Sequence, residues 1–384
     1  MSEYQCYEFV ALDRPLTAKQ MAELRAISTR AEISPTRFWN EYQWGDLKAN
    51  PAKLMERYFD AHLYFANWGT HRLMLRVPKA RVDVKALKAF VVGRHATHLT
   101  IVGEHIVLDF CSDAEEPEYD EESQGSLAAL SPLRAELMRG DLRCAYLAWL
   151  LAVQAGDIED DATEPPVPAG LGTLTAAEQA MVEFLRIDAD YLAAAARGSA
   201  EPTEGADEFH RWVADLPPEQ KDKWLIRAVD DPDMAIGGDL LRAYRATRGP
   251  GAATKRRTIR ELRALAEAQG AEREKAESAR ATKARDAAEK QRQRRLDKLG
   301  HDVDAAWVKL EKLVGANDYD EAVKLAGDLR DLATRDGETQ SFTRRFEAMR
   351  KRQLRRRGFF DRWKRSEARE PGSARETKRG RLTP

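Results

Sequence analysis

Cysteine is scarce in this 384-residue chain. Its three, Cys6, Cys111 and Cys144, are odd in number and widely spaced, and no C-x-x-C pair occurs. That excludes a disulfide framework and a zinc ribbon and suits a reducing compartment. Long apolar runs are also lacking. The longest, residues 145–153, is about half the length a membrane-spanning helix needs. Residues 1–9 carry neither the basic nor the apolar region of a secretory signal. A cytoplasmic protein without a membrane span is the expectation. Enzyme signatures are missing as well: no G-x-x-x-x-G-K-[ST], G-x-G-x-x-G, H-E-x-x-H or G-x-S-x-G occurs. The acidic stretch 230–239 lacks the residue order and closing Glu of a calcium loop. No reaction can be named from a motif, and no cofactor is expected.

Charge, by contrast, is plentiful. Asp, Glu, Lys and Arg make up 33% of the chain, above the usual quarter, so some segments must be solvated along most of their length. The net charge of −1 hides a polarisation. Residues 341–384 hold 16 Lys/Arg against 5 Asp/Glu, a surplus of +11, which leaves −12 on the rest. Such asymmetry bears on partners more than the total does.

Residues 1–112 read as an α+β domain. The runs 4–11, 37–44 and 72–77, the last stopped by Pro78, suit strands, and 97–102 with 105–110 suit a hairpin. Thr17 precedes a helix with Met21, Leu24 and Ile27 at helical spacing. Asn50-Pro51 starts a second helix that Asn67-Trp68-Gly69 ends, and 82–91 suits a third. Residues 113–125 then form an acidic linker, with seven acidic side chains between 113 and 122.

Residues 126–248 read as a helical domain. An apolar stripe runs through 142–153, and Thr175 with Glu178 makes a capping box. One helix follows Pro217-Pro218 with Trp224, Leu225 and Ala228; another follows Gly237-Gly238. Residues 249–302 are a hinge and an exposed charged helix: from 266 to 295 no apolar residue exceeds alanine, so the a/d repeat of a coiled coil is lacking. A C-terminal helical unit follows at 303–358, and 359–384 reads as a basic disordered tail. The fold class expected is an α+β N-terminal domain, then a mostly α-helical bundle, a long charged helix and a C-terminal helical unit.

Three groups of residues invite a functional reading. Aromatics crowd 38–68, and Trp39, Tyr42, Trp44, Tyr58, Tyr64 and Trp68 are candidates for a ligand surface. The plainer alternative is a small core rich in aromatics. Five of the seven histidines lie between 62 and 105. His95, His98 and His105 are weak candidates for a metal site, to which Glu104 or Cys111 would add a ligand. Solvent-facing or hydrogen-bonded histidines on a sheet explain them as well. The third group is Arg350, Lys351, Arg352, Arg355, Arg356, Arg357, Arg362, Lys364 and Arg365, beside Phe359, Phe360 and Trp363. These suit an acidic protein partner or, with stacking aromatics, a nucleic acid. They also suit contact with the chain's own acidic residues.

Residues 2–16 (Ser-Glu-Tyr-Gln-Cys-Tyr-Glu-Phe-Val-Ala-Leu-Asp-Arg-Pro-Leu), 40–46 (Asn-Glu-Tyr-Gln-Trp-Gly-Asp) and 57–69 (Arg-Tyr-Phe-Asp-Ala-His-Leu-Tyr-Phe-Ala-Asn-Trp-Gly) resemble an uncharacterised bacterial protein family. Residues 318–333 (Asp-Tyr-Asp-Glu-Ala-Val-Lys-Leu-Ala-Gly-Asp-Leu-Arg-Asp-Leu-Ala) resemble the C-terminal helical module that accompanies SWIM-type zinc fingers. The SWIM pattern itself, C-x-C then C-x-H, is missing, so zinc binding does not carry over. The resemblance implies a bacterial cytoplasmic protein and no activity. The expected function is a non-enzymatic protein-interaction or scaffold role with a protein partner. One alternative is a nucleic-acid-binding accessory factor using the basic C-terminal tail. The other is an unfamiliar enzyme in the N-terminal domain, with histidines as acid and base near neutral pH.

Overall fold

The computed structural model describes residues 3–91, 94–114, 125–201, 206–230, 236–248 and 256–369. It divides into two compact units, Met1–Arg273 and Glu274–Pro384.

In the first unit one antiparallel sheet is built from β1 (Gln5–Val10), β2 (Glu32–Ile33), β3 (Arg37–Tyr42), β4 (Ala61–Ala66), β5 (Thr70–Pro78), β6 (Thr97–Val102) and β7 (His105–Asp113). Their order is β2-β3-β1-β4-β5-β7-β6. Side chains alternate between faces along each strand, and both faces are packed. Phe9, Phe38, Met74 and Val107 meet Leu24 of α1 (Ala18–Ile27) and Leu54 and Met55 of α2 (Pro51–Arg57). A capping box of Thr17 and Gln20 starts α1; the Asn50 side chain and Pro51 start α2.

The opposite face carries Leu63, Phe65, Leu73, Leu75, Leu108 and Phe110 into the main core. That core is completed by α3 (Val84–Lys88), α4 (Leu127–Leu130), α5 (Pro132–Met138), α6 (Arg143–Gln154), α7 (Ala176–Phe184) and α8 (Ala189–Ala196). The longest apolar run of the sequence, 145–153, lies within the buried part of α6, from Cys144 to Val153. Among the described residues no helix is long and apolar enough to cross a membrane.

Three helices follow: α9 (Ala206–Asp215), α10 (Pro218–Asp230) and α11 (Ile236–Arg248). Tyr244 of α11 is buried against Phe209 and Trp212 of α9, with ring centroids 5.5 and 5.4 Å away. The helix α12 (Ile259–Gly300) begins in the main core through Ile259, Leu262 and Ala266, and the division between the units falls within it.

The architecture is α+β followed by helices, as expected, but four boundaries differ. The helix expected across 51–66 stops at Arg57, and 61–66 is β4, paired with both β1 and β5. Asn67-Trp68-Gly69 turns a hairpin, with Gly69 at φ +113° and its position closed to a side chain by the Ala114 carbonyl. The boundary expected at 113–125 does not divide the structure. Asp113 ends β7, 115–124 lie outside the described residues, and the helices beyond share the sheet's core. The helical domain expected at 126–248 is thus part of the first unit. The charged helix expected in 249–302 has its first turns buried rather than exposed.

The second unit holds the later part of α12 with α13 (Val303–Ala316), α14 (Tyr319–Arg335), α15 (Thr339–Arg352) and α16 (Arg357–Arg369), around Trp307, Leu310, Val314, Leu329 and Met349. Here the expected tail is corrected. Residues 357–369 are helical, and Phe359 and Trp363 are buried in the core. The rest of that tail, 370–384, lies outside the described residues.

A pH dependence is built into the first unit. Glu178 closes the capping box of α7 and lies 3.0 Å from Arg143, with its side chain fully buried. Burial pushes its carboxyl up from 4.5 to about 7, against the hydrogen bond from Thr175 and the charge of Arg143. Between those values the folded state holds more protons than the unfolded state, so stability falls as pH rises. The loss through that window is about 3 kcal/mol at most. Glu178→Gln keeps the capping hydrogen bond and removes the ionisation. Urea unfolding across the window should show the variant gaining on the parent as pH rises; parallel profiles would contradict this.

Candidate functional site

The six candidate aromatics do not converge. Trp39 lies on the face of β3 that carries Arg37, whose guanidinium sits 5.8 Å from its ring. Tyr58 follows α2 and donates a 2.5 Å hydrogen bond to Glu23. Trp44 and Trp68 are exposed in turns. Only Tyr42 and Tyr64 share a neighbour: both rings approach Tyr7, at 6.0 and 4.6 Å. Around them is a hydrogen-bond network that sequence reasoning missed. Tyr7 donates to Asp46 at 2.5 Å, Tyr64 to the Gln5 Oε1 at 2.9 Å, and the Gln5 amide to the Gly45 carbonyl at 2.8 Å. Next along the same face, Arg72 holds Asp109 in a two-bond pair at 2.7 and 2.5 Å. Nothing short of the strand pairing could have placed these residues together.

The histidines separate too. His62 stacks on Phe9 with centroids 3.9 Å apart and its Nδ1 lies 2.9 Å from the Glu8 carbonyl. Its Nε2 is buried without a hydrogen-bond partner among the described residues. His71 holds the Phe184 carbonyl at 2.5 Å, a tie between sheet and helices. Burial pushes His62 down to about 3 and His71 down to about 4, so neither titrates near neutral pH as an acid–base reading would need. The trio His95, His98 and His105 is not assembled. His98 is exposed opposite Asp109, whereas His105 pairs with Val102 at the other end of the hairpin. Glu104 sits in that hairpin's turn. Instead, His95 meets Asp113, its Nε2 2.7 Å from a carboxylate oxygen, with Cys111 alongside. Burial, then the charge of Asp113, pushes the Cys111 thiol up to about 11.

Two surfaces stand out. On α10, Asp222, Leu225, Ile226 and Val229 recur at helical spacing and all face solvent. The three apolar members are 62, 58 and 79% exposed, while Trp224 and Ala228 on the other side are half-buried. Single exposed apolar residues are ordinary; a stripe of three large ones on a short helix is not. The sequence had grouped Leu225 with Trp224 and Ala228, and the structure turns it outward.

The second surface is the basic face of the C-terminal unit, whose nine candidate cations fall into two sets. Arg352 pairs with Glu311, Arg362 with Asp320, and Arg356 bonds Asn317 and Gly315, while Arg350 lies over the Phe360 ring at 5.8 Å. These hold the unit together. Lys351, Arg355, Arg357, Lys364 and Arg365 are exposed and form no ion pair among the described residues.

No family model, no curated protein and no solved structure matches this chain.

Proposed function

We propose that the protein is a non-enzymatic interaction protein and that its partner covers α10. The observation that carries this reading is the solvent-facing stripe of Leu225, Ile226 and Val229. An apolar stripe on a helix costs free energy in water and is relieved when another protein buries it, at about 25 cal/mol for each Å² removed from water. The stripe is flanked by Asp222, Lys223, Arg227 and Asp230, all exposed, which suits a partner with an apolar groove and a mixed-charge rim. The exposed cations Lys351 on α15, Arg355 in the turn after it and Arg357, Lys364 and Arg365 on α16 support a second contact with an acidic surface. A nucleic-acid role has less support, because Phe359 and Trp363 are committed to the core and are not free to stack on bases.

The test compares the full-length protein with a Leu225→Glu, Val229→Glu variant, each recovered from its host after nuclease treatment. Both positions are exposed, so helicity and melting should stay as in the parent. Co-purifying proteins should fall by about tenfold or more, since losing one buried apolar anchor costs upward of about 1 kcal/mol. Recovery of the same proteins in the same amounts rejects the reading.

A further inference from the structure

We propose that His95, Cys111 and Asp113 form a binding site for a divalent cation of the zinc class. This cluster is separate from α10. Cys111 and Asp113 stand two apart on β7 and therefore point to one face of the sheet. His95 comes from the segment that precedes β6. The Asp157 carboxylate accepts the backbone N–H groups of His95 and Ala96 at 2.9 and 2.7 Å, and the Cys111 N–H donates to the Ala96 carbonyl at 2.9 Å. These three bonds fix that segment beside the strand. The imidazole nitrogen, thiol sulfur and carboxylate oxygen all lie within 4.8 Å of one another.

The donor set selects the cation. Magnesium and calcium take oxygen ligands, whereas one sulfur, one nitrogen and one oxygen suit zinc or cobalt(II). Zinc bonds of about 2.0–2.3 Å place tetrahedral donors roughly 3.3–3.7 Å apart. The His95–Asp113 pair, 2.7 Å apart, must therefore open by about 0.6 Å, and a pair at the 4.8 Å limit would close by about 1 Å. His95 and Asp113 are exposed side chains with room to do this. Thr70 stands opposite Asp113 on the neighbouring strand, on the same face of the sheet and outside the donor set. Arg72 and Arg186 flank the cluster and their charge opposes a cation. Arg72 is already engaged by Asp109, and Arg186 is turned to Ser112 and the Gly69 carbonyl. A thiolate and a carboxylate together neutralise the incoming ion, and the three donors leave a fourth position for water or a partner's side chain. On binding, the Cys111 thiol proton leaves to solvent and the sulfur takes its place on the metal.

The experiment is a cobalt(II) titration of the full chain, followed by absorption and repeated with zinc in competition. One cobalt per chain is expected, with a thiolate-to-cobalt charge-transfer band that zinc abolishes. Cys6 and Cys144 are buried and should contribute nothing to it. Cys111→Ser should remove the band. His95→Ala, a surface change that leaves folding intact, should remove stoichiometric binding. His98→Ala should bind as the parent does. Failure of the parent chain to bind cobalt stoichiometrically, a band that survives Cys111→Ser in a folded protein, or unchanged binding by His95→Ala overturns the proposal.

Discussion

Phe359→Ala should destabilise the C-terminal unit by about 3–5 kcal/mol, the usual cost of emptying a fully buried phenylalanine site. Phe359 has no solvent exposure. Its ring lies 6.5 Å from Tyr319, 6.2 Å from Phe346 and 4.9 Å from Phe360, so α16 is anchored to both α14 and α15. Trp363 adds to the same anchor, 5.2 Å from Phe346 and under the Arg330 guanidinium at 5.3 Å. A tail carrying the same residues outside any core would give no change. Hydrogen exchange of the α13, α14 and α15 amides is the measurement, because it reads this unit without the other. Protection should fall throughout the unit in Phe359→Ala and stay within about 0.5 kcal/mol of the parent in Lys364→Ala. A loss confined to 357–369 would contradict the shared core.

Arg257→Ala should cost the first unit a similar about 3–5 kcal/mol, for an electrostatic reason. Glu164 is buried, and Arg257 holds both its oxygens at 2.7 Å while donating to the Ala194 carbonyl at 2.8 Å. Tyr146 of α6 donates to the same carboxylate at 2.5 Å. Backbone bonds from Glu164 to Arg257 at 2.9 Å and from Ile259 to Ala162 at 3.0 Å tie the start of α12 to this point. Removing the guanidinium strands a buried carboxylate, which is the expensive outcome; removing both charges is not. A Glu164→Gln, Arg257→Met double variant should therefore recover most of the loss in urea unfolding. Equal damage from the single and double variants would show that packing, not the unpaired charge, sets the cost.

Much of the fold was legible because local signals act locally. Thr175 with Glu178, Asn50 with Pro51 and the hairpin around Gly103 all do what their residue types favour. β4 was not legible: a strand buried on both faces shows no alternation, and Ala-His-Leu-Tyr-Phe-Ala follows a helix without a break in apolar spacing. The missing domain boundary has another cause. An acidic stretch predicts solvation, but not what packs across it. Arg134 to Asp13 at 2.5 Å and His71 to Phe184 join residues more than a hundred positions apart. The candidate metal cluster was not legible: the strand expected at 105–110 runs on through Cys111 to Asp113, and the approach of His95 depends on Asp157, 62 positions away. In the C-terminal unit the spacing of Phe359 and Trp363, one helical turn, was the overlooked signal for α16.

The interaction reading is tested most directly by photo-crosslinking inside the native host. A photoreactive amino acid is introduced at Ile226 or Val229 on α10, and as a control at Ser278 on the solvated part of α12. The stripe positions should yield one discrete higher-mass adduct that Ser278 does not, and Leu225→Glu in the same chain should erase it. No adduct from either stripe position, or the same adducts from Ser278, would contradict the assignment of α10 as the partner-binding helix.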